Sequence, residues 1–355
     1  MSAPPKPLDL ADTVAVLGAG FSDAAGLPLA SKVSQEFLQL NCDKVQQVIT
    51  ANLREFWRDV FGYEEGKPIP SFEDHFTLLD LAANVGHNIG NRFTPALLRA
   101  LRRISIHRVF EILEMHYHPS DQISTFLGML ARDRSSIVSL NWDIVVENHF
   151  FAMGGDFSYG IEGRYLDDRM PGKEAVPLIK LHGSANWHYC DSCHTTLFGG
   201  KGQGKNTIVN KTFLEANDFR RLTGGAELAE ELSKKPGTEC KECHNPKTTA
   251  RVATFSYAKA LDFFPYHASW DRALKQLREA RRWIFIGYSL PDADFAFKHL
   301  LKTAQLASQA PKEVFVILKG SADSEVVIRY RQFFGRTLRQ EFTEGFEKWV
   351  AQTLA

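Results

Sequence analysis

Thr13-Val14-Ala15-Val16-Leu17-Gly18-Ala19-Gly20-Phe21-Ser22 is the stretch that decides the fold. Five apolar or β-branched residues run into a glycine, and a second glycine follows after one residue. The run is too short for a helix and too apolar for a surface strand, so it reads as a buried strand turning at Gly18. Glycines at such a strand end permit a tight turn and the close approach of a pyrophosphate to the backbone. The spacing departs from the full dinucleotide fingerprint, because Asp23 stands where a third glycine would fall. Gly-x-Gly alone fits an ordinary turn equally well.

Working outward, Ser136-Ile137-Val138-Ser139-Leu140 reads as a second buried strand, with a helix from Asp143 to Phe151 behind it. Val176 to Leu181 is a third, its Pro177 near the beginning, where a strand tolerates it. Further strands are expected from Trp283 to Ile286 and Val314 to Leu318. Helices are expected from Ser269 to Ala280, Asp292 to Ala307, and Pro28 to Leu40. Between Phe72 and Ala131, Leu79, Leu81, Leu97, Leu98, Leu101 and Ile112 recur at near-helical spacing, so several helices are inserted after the first strand. Phe342 to Leu354 reads as a terminal helix, either core or assembly surface.

Strands alternating with helices imply a parallel sheet covered on both faces. The expected fold class is therefore α/β, a doubly wound, Rossmann-like parallel-sheet domain with a helical insert and a cysteine-bearing lobe. The sequence divides into a loose leader (1–12), a first part of the core (13–186, helical insert about 40–131), the lobe (187–249), and a second part of the core with C-terminal helices (250–355). No internal repeat is visible.

The 355 residues suffice for one large domain with an insert, or for two domains. Lys+Arg and Asp+Glu are both 42, which argues against binding nucleic acid or an anionic membrane by charge alone. No apolar run reaches the roughly 18 residues of a membrane span, and the leader lacks a signal-type apolar stretch. A cytoplasmic location is expected.

Four of the five cysteines form two pairs, Cys190-Asp191-Ser192-Cys193 and Cys240-Lys241-Glu242-Cys243, while Cys42 stands alone. Four thiolates on two knuckles suit tetrahedral Zn2+, and the long spacer between the pairs implies an insert within the lobe. His194 and His244 also complete two Cys-x-x-Cys-His haem-attachment patterns, but that chemistry needs export to an oxidising compartment. A redox dithiol is the weaker explanation, since one metal accounts for both pairs. Gly199 to Asn206 nearly spells a phosphate loop, yet Asn206 replaces the magnesium-binding Ser/Thr and no convincing helix follows, so a surface loop is expected. Trp187, His188 and Tyr189 could stack on a ligand, although packing between lobe and sheet explains them better.

Leu140-Asn141-Trp142-Asp143 and Lys180-Leu181-His182-Gly183-Ser184 end the second and third strands. Open α/β sheets bind ligands outside the carboxyl ends of their strands, so Asn141 and His182 should converge on the site formed by Gly18 to Ser22. Taken singly, Asn141 fits a helix cap and His182 a structural histidine.

In this order, Gly18-Ala19-Gly20-Phe21-Ser22, Asn141-Trp142-Asp143, His182-Gly183-Ser184 and Gly287-Tyr288-Ser289-Leu290 resemble the motif series of the sirtuin family. The resemblance implies an NAD-binding domain with a four-cysteine structural zinc lobe. It implies that Gly18, Ala19, Gly20, Phe21, Ser22, Gly287 and Ser289 contact the phosphates and adenosine side. Asn141 and Asp143 would then face the nicotinamide and its ribose, and His182 would be the catalytic base. Several segments depart from the deacylating members. Gly26 to Ser31 lacks their Phe-Arg pair, and Leu140 stands where they carry Gln. Thr254 to Lys259 replaces the Phe-Gly-Glu stretch of the acyl-lysine channel, and no Asn-x-Glu is evident near Leu318-Lys319-Gly320. Gly287 to Asp292 looks closer to the prokaryotic sirtuin-like NAD hydrolases of antiphage systems. The expectation is an NAD+ glycohydrolase that makes ADP-ribose and nicotinamide through Asn141 and His182, held in check by a protein partner or by homo-oligomerisation. The alternatives are an NAD-dependent protein-lysine deacylase and a non-catalytic NAD or ADP-ribose sensor.

Overall fold

Successive residues of a strand point to opposite faces, and this period divides the core in two. In β1 (Thr13–Leu17), Val14 and Val16 join one apolar cluster while Ala15 and Leu17 join the other. The computed structural model describes residues 9–199, 214–235, 237–250, 252–257, 266–307 and 312–353. In it, β1 lies at the centre of a seven-stranded sheet. The others are β2 (Ser136–Ser139), β3 (Phe157–Ser158), β5 (Val176–Lys180), β8 (Arg282–Ile286), β9 (Glu313–Ile317) and β10 (Leu338–Phe342). The order is β10-β9-β8-β1-β2-β5-β3, and every pairing is parallel. The chain builds outward from β1 on one side, then returns to add β8, β9 and β10 on the other. That reversal opens a crevice at the carboxyl end of β1.

Helices α10 (His267–Glu279), α11 (Phe295–Leu306) and α12 (Glu325–Phe334) cover the Val14/Val16 face. Helices α6 (Asp121–Arg132), α7 (Val145–Met153) and α13 (Phe346–Thr353) cover the other. The fold class expected from the strand–helix alternation is the one observed. Between β1 and β2, the short α1 (Ala19–Ser22) is followed by α2 (Ala30–Glu36), α3 (Lys44–Phe61), α4 (Phe72–Val85) and α5 (Pro95–His116). Asp43, Ser71 and Thr94 cap α3, α4 and α5 through side chains that accept backbone N–H groups. The apolar cluster of these helices is continuous with that of the sheet.

A buried imidazole ties three of these helical turns together. Trp57 Nε1 donates to His75 Nδ1 at 2.9 Å, and His75 Nε2 lies 2.9 Å from Ser105 Oγ. Ser105 spends its own proton on the Leu101 carbonyl at 2.7 Å, so it accepts from His75. The neutral ring is thereby fully satisfied, and burial holds its pKa down to about 3.

The lobe carries a small sheet of β4 (Arg164–Tyr165), β7 (Thr196–Phe198) and β6 (Trp187–Tyr189). Trp187 to Tyr189 therefore form a strand, and Trp187 packs edge-on against Tyr159 with ring centroids 5.0 Å apart. Between the cysteine pairs, α8 (Ala216–Phe219) and α9 (Ala226–Ser233) lean on the helical insert. Arg103 Nε donates to Asp218 Oδ2 at 3.0 Å, while Asn52 and Thr223 exchange two bonds of 3.0 Å.

Three expectations need correction. The helix expected over Pro28 to Leu40 is confined to Ala30–Glu36, because the buried Arg108 takes the carbonyls of Phe37 (2.9 Å) and Leu40 (3.3 Å). Phe342 belongs to β10, whose backbone pairs with β9, and the terminal helix begins only at Phe346. Asn141 is not a helix cap, since Ile144 holds that position in α7. Residues 200–206 of the phosphate-loop-like stretch and residues 1–8 of the leader lie outside the described residues. No helix among the described residues is long and apolar enough to cross a membrane.

Candidate active site

The glycines after β1 and β8 exist for each other. Gly20 N donates to the Gly287 carbonyl at 2.8 Å, and Gly18 N to that of Ile286 at 3.0 Å. A Cβ on Gly18 would lie 2.6 Å from Tyr288 Cα, and one on Gly20 would lie 2.7 Å from Gly287 Cα. Gly287 adopts φ +60, and a Cβ there would meet Gly20 C at 2.2 Å. Two loops can cross this closely only without side chains. The glycine requirement is thus explained by loop crossing, before any ligand is considered.

A hydrogen-bond chain joins the first loop to the end of β2. Asn141 Nδ2 donates to the Gly18 carbonyl (2.9 Å) and to Ser22 Oγ (3.1 Å). Ser22 Oγ in turn donates to Asp143 Oδ2 at 2.8 Å, and Asp143 Oδ1 accepts from Val145 N at 3.1 Å. Both oxygens of the buried Asp143 are therefore engaged, one with the first loop and one with the start of α7. With Nδ2 spent on the first loop, the Asn141 amide oxygen is fixed in direction.

His182, only 6% exposed, extends from the end of β5. Its Nδ1 lies 3.1 Å from the Leu140 carbonyl, an acceptor only. Nδ1 therefore carries a proton, which in the neutral ring puts the lone pair on Nε2. The carbonyl of His182 accepts from Ala253 N at 3.0 Å, and Tyr189 and Thr249 form a bridge further along. His182 and Tyr189 are thus each bonded to the chain that returns from the cysteine lobe, at Ala253 and Thr249.

These groups line one cleft of about 240 Å³. Gly18, Ala19, Ser22, Asn141, Asp143, His182, Gly287 and Ser289 all reach it. Gly20 and Phe21 do not: Gly20 lies beneath Gly287, and Phe21 packs into the core against Phe346 with ring centroids 5.1 Å apart. Other lining residues went unrecognised in the sequence. Trp142 donates to the Ala253 carbonyl at 2.8 Å and packs 4.9 Å from Phe255, closing one wall. Its place between two flagged residues was the available signal. Glu73 enters from α4, far from any motif, and nothing in the sequence marked it. Tyr288 donates to Asp294 Oδ2 at 2.9 Å, and burial pushes its hydroxyl well above the usual range, so it stays protonated. The lining carries Glu73, Asp143 and Asp294 but no lysine or arginine among the described residues. A second cavity of about 550 Å³, lined by Trp270, Asp271 and Phe297, shares His182, Ala293 and Asp294 with the first.

In the lobe, the four sulfurs lie within 4.8 Å of one another, with Cys190–Cys243 and Cys193–Cys240 both at 3.6 Å. Tetrahedral Zn–S bonds of about 2.3 Å put sulfurs about 3.8 Å apart, so the set is placed to bind a structural zinc. His194 and His244 take positive φ of 62 and 59, and their N–H groups close the knuckles on the carbonyls of Cys190 and Cys240. Convergence of all four sulfurs on one point fits one metal and not two haem attachments.

No family model matches this chain, and no curated protein does. Among solved structures, it is similar to a Sir2–p53 peptide–NAD+ complex at 11% identity and TM-score 0.42, covering 96% of this chain and 91% of that one. It is also similar to an ADP-ribose complex of a mutant Sir2 homologue, at 14% identity and TM-score 0.44, covering 96% and 89%. A third, described as the structural basis of sirtuin substrate affinity, has 11% identity and TM-score 0.44, covering 96% and 92%. At this level the likeness assigns no residue a role.

Proposed function

We propose that the chain is an NAD+ glycohydrolase whose reaction centre is the Asn141–His182 cleft. The observation that carries this reading is the convergence of polar groups from three strand ends: Ser22 after β1, Asn141 and Asp143 after β2, and His182 after β5. In the reaction, the bond between nicotinamide nitrogen and ribose C1′ breaks, and its electron pair neutralises the pyridinium ring. Water oxygen then bonds to C1′, and its proton passes to His182 Nε2. The Asn141 amide oxygen would orient that water or the ribose. A lining that is acidic and, among the described residues, without lysine or arginine suits a cationic ring and the positive charge developing at C1′. The glycine loop and Ser289 would receive the phosphates through neutral groups, so remote binding serves orientation. The four-cysteine lobe would hold zinc as a structural ion. The resemblance of Gly287–Asp292 to antiphage hydrolases supports a role in prokaryotic defence, acting on the cytoplasmic NAD pool, with a partner or self-assembly as the trigger.

One observation favours a second reading, an NAD-dependent deacylase: a second cavity also reaches His182 and offers room for an acyl-lysine acceptor. Incubation with NAD+ and acetylated peptides separates the two. The hydrolase should release nicotinamide and ADP-ribose at the same rate with or without peptide. Peptide-dependent turnover yielding O-acetyl-ADP-ribose would replace it with the deacylase.

A further inference from the structure

The strand that leads into His182, β5, ends in Lys180, and this lysine is 1% exposed. Its Nζ lies 3.3 Å from Glu147 Oε1 on α7, whose side chain is fully buried. The same Nζ donates to the Asp143 carbonyl at 2.5 Å. Tyr159 OH donates to Glu147 Oε1 at 2.9 Å, and Asn186 Nδ2 donates to Tyr159 OH at 3.0 Å. Glu147 Oε2 is buried with no hydrogen-bond partner among the described residues.

As a stabilising device this pair is poorly built. Taking two charges out of water costs more than their contact returns unless every oxygen and proton is satisfied, and one oxygen here is not. An apolar pair of equal volume would serve the fold as well. The position of the donated bonds gives the pair another use. His182 Nδ1 holds the carbonyl of Leu140, and Lys180 Nζ holds that of Asp143. Asn141 lies between these two residues. The end of β5 and the residues just after it thus grip both ends of the short loop that presents Asn141.

We infer that Lys180, with Glu147 as its buried counter-ion, is a positioning residue that sets the spacing between Asn141 and His182. This rests on the NAD-cleavage reading of the cleft. Neither side chain lines the cleft, so substrate binding should be spared while the reacting groups lose their alignment. A displacement near 1 Å costs on the order of 100-fold in rate.

The test uses the double variant Lys180→Met/Glu147→Gln, because Lys180→Met alone strands a buried carboxylate and could fail to fold. We expect Tm and zinc content at wild-type values, KM for NAD within about threefold, and kcat for nicotinamide release lower by about 10- to 100-fold. A second readout is the Nδ1–H resonance of His182 in protein labelled with 15N-histidine, assigned with His182→Gln. It should broaden in the double variant as the bond to Leu140 loosens. Wild-type kcat per folded molecule with an unchanged resonance would overturn the inference. If the wild type releases no nicotinamide, the NAD-cleavage reading fails by itself. The resonance then decides alone, broadening supporting the positioning role and an unchanged signal refuting it.

Discussion

A histidine whose Nδ1 proton is committed to a carbonyl can act as a base only through Nε2, and an asparagine whose amide nitrogen is spent on a neighbouring loop presents only its oxygen. His182→Ala should therefore lower nicotinamide release by about 10²–10⁴-fold while NAD still binds. Asn141→Asp should fare no better than Asn141→Ala, because the substitution sets a carboxylate against the Gly18 carbonyl and removes the donor to Ser22. Both are checked by nicotinamide release alongside Tm, and full activity in Asn141→Asp would discard the orientation argument. At this scale the sequence was partly legible. Asn141 and His182 stood out because polar residues end apolar strands, and that same pattern brings them together at the sheet edge. Phe21 shared a motif with Ser22, but helical geometry turned its ring into the core. Lys180 carried a signal that was passed over: a charged residue closing an apolar strand must find a buried partner, and only the tertiary fold shows that it is Glu147.

Among elements, the crossing of the β1 and β8 loops and the paired cysteine knuckles fix the geometry. Gly287→Ala would place a Cβ on the Gly20 backbone at positive φ, so it should cost well over the ~1 kcal/mol of an ordinary Gly→Ala strain. A melting temperature within a degree or two of wild type would refute the interlock. The knuckles predict about one zinc per chain by metal analysis, with Cys190→Ser or Cys243→Ser losing metal and stability together. A well-folded preparation without zinc would sink that assignment. The parallel strands were legible because each is a short apolar run bounded by turn residues. The β10 strand was not, since Arg339, Gln340 and Glu341 look like solvent and its pairing with β9 is decided by backbone bonds far away in sequence. The early end of α2 was equally hidden, being set by Arg108 some seventy residues on.

For the molecule as a whole, the helical insert and the sheet share one apolar cluster, so acid that loosens the insert should weaken the entire fold. His75 supplies the lever. Its folded pKa of about 3 lies below the ordinary imidazole value of 6.5, so the unfolded chain takes up the proton first as pH falls. Stability is complete above pH 6.5 and is lost on descending from there towards 3, by up to about 1.4 kcal/mol per pH unit. Tm should fall between pH 7 and 5, and His75→Gln, which can accept from Trp57 and donate to Ser105 without titrating, should show a shallower fall. An identical pH dependence in the two proteins would assign the loss elsewhere.

The bonds between the segments that join the lobe to the cleft should couple metal and ligand as well as connect them. Residues 182–189 leave His182 for the first knuckle, and Thr249 and Ala253, beyond the second, bond back to Tyr189 and His182. Linkage is reciprocal, so whatever factor zinc contributes to ligand affinity the ligand must return to zinc affinity. Zinc affinity, read at equilibrium against a competing chelator, therefore becomes a gauge of cleft occupancy that needs no turnover. It would register a bound dinucleotide even in variants that have lost all chemistry.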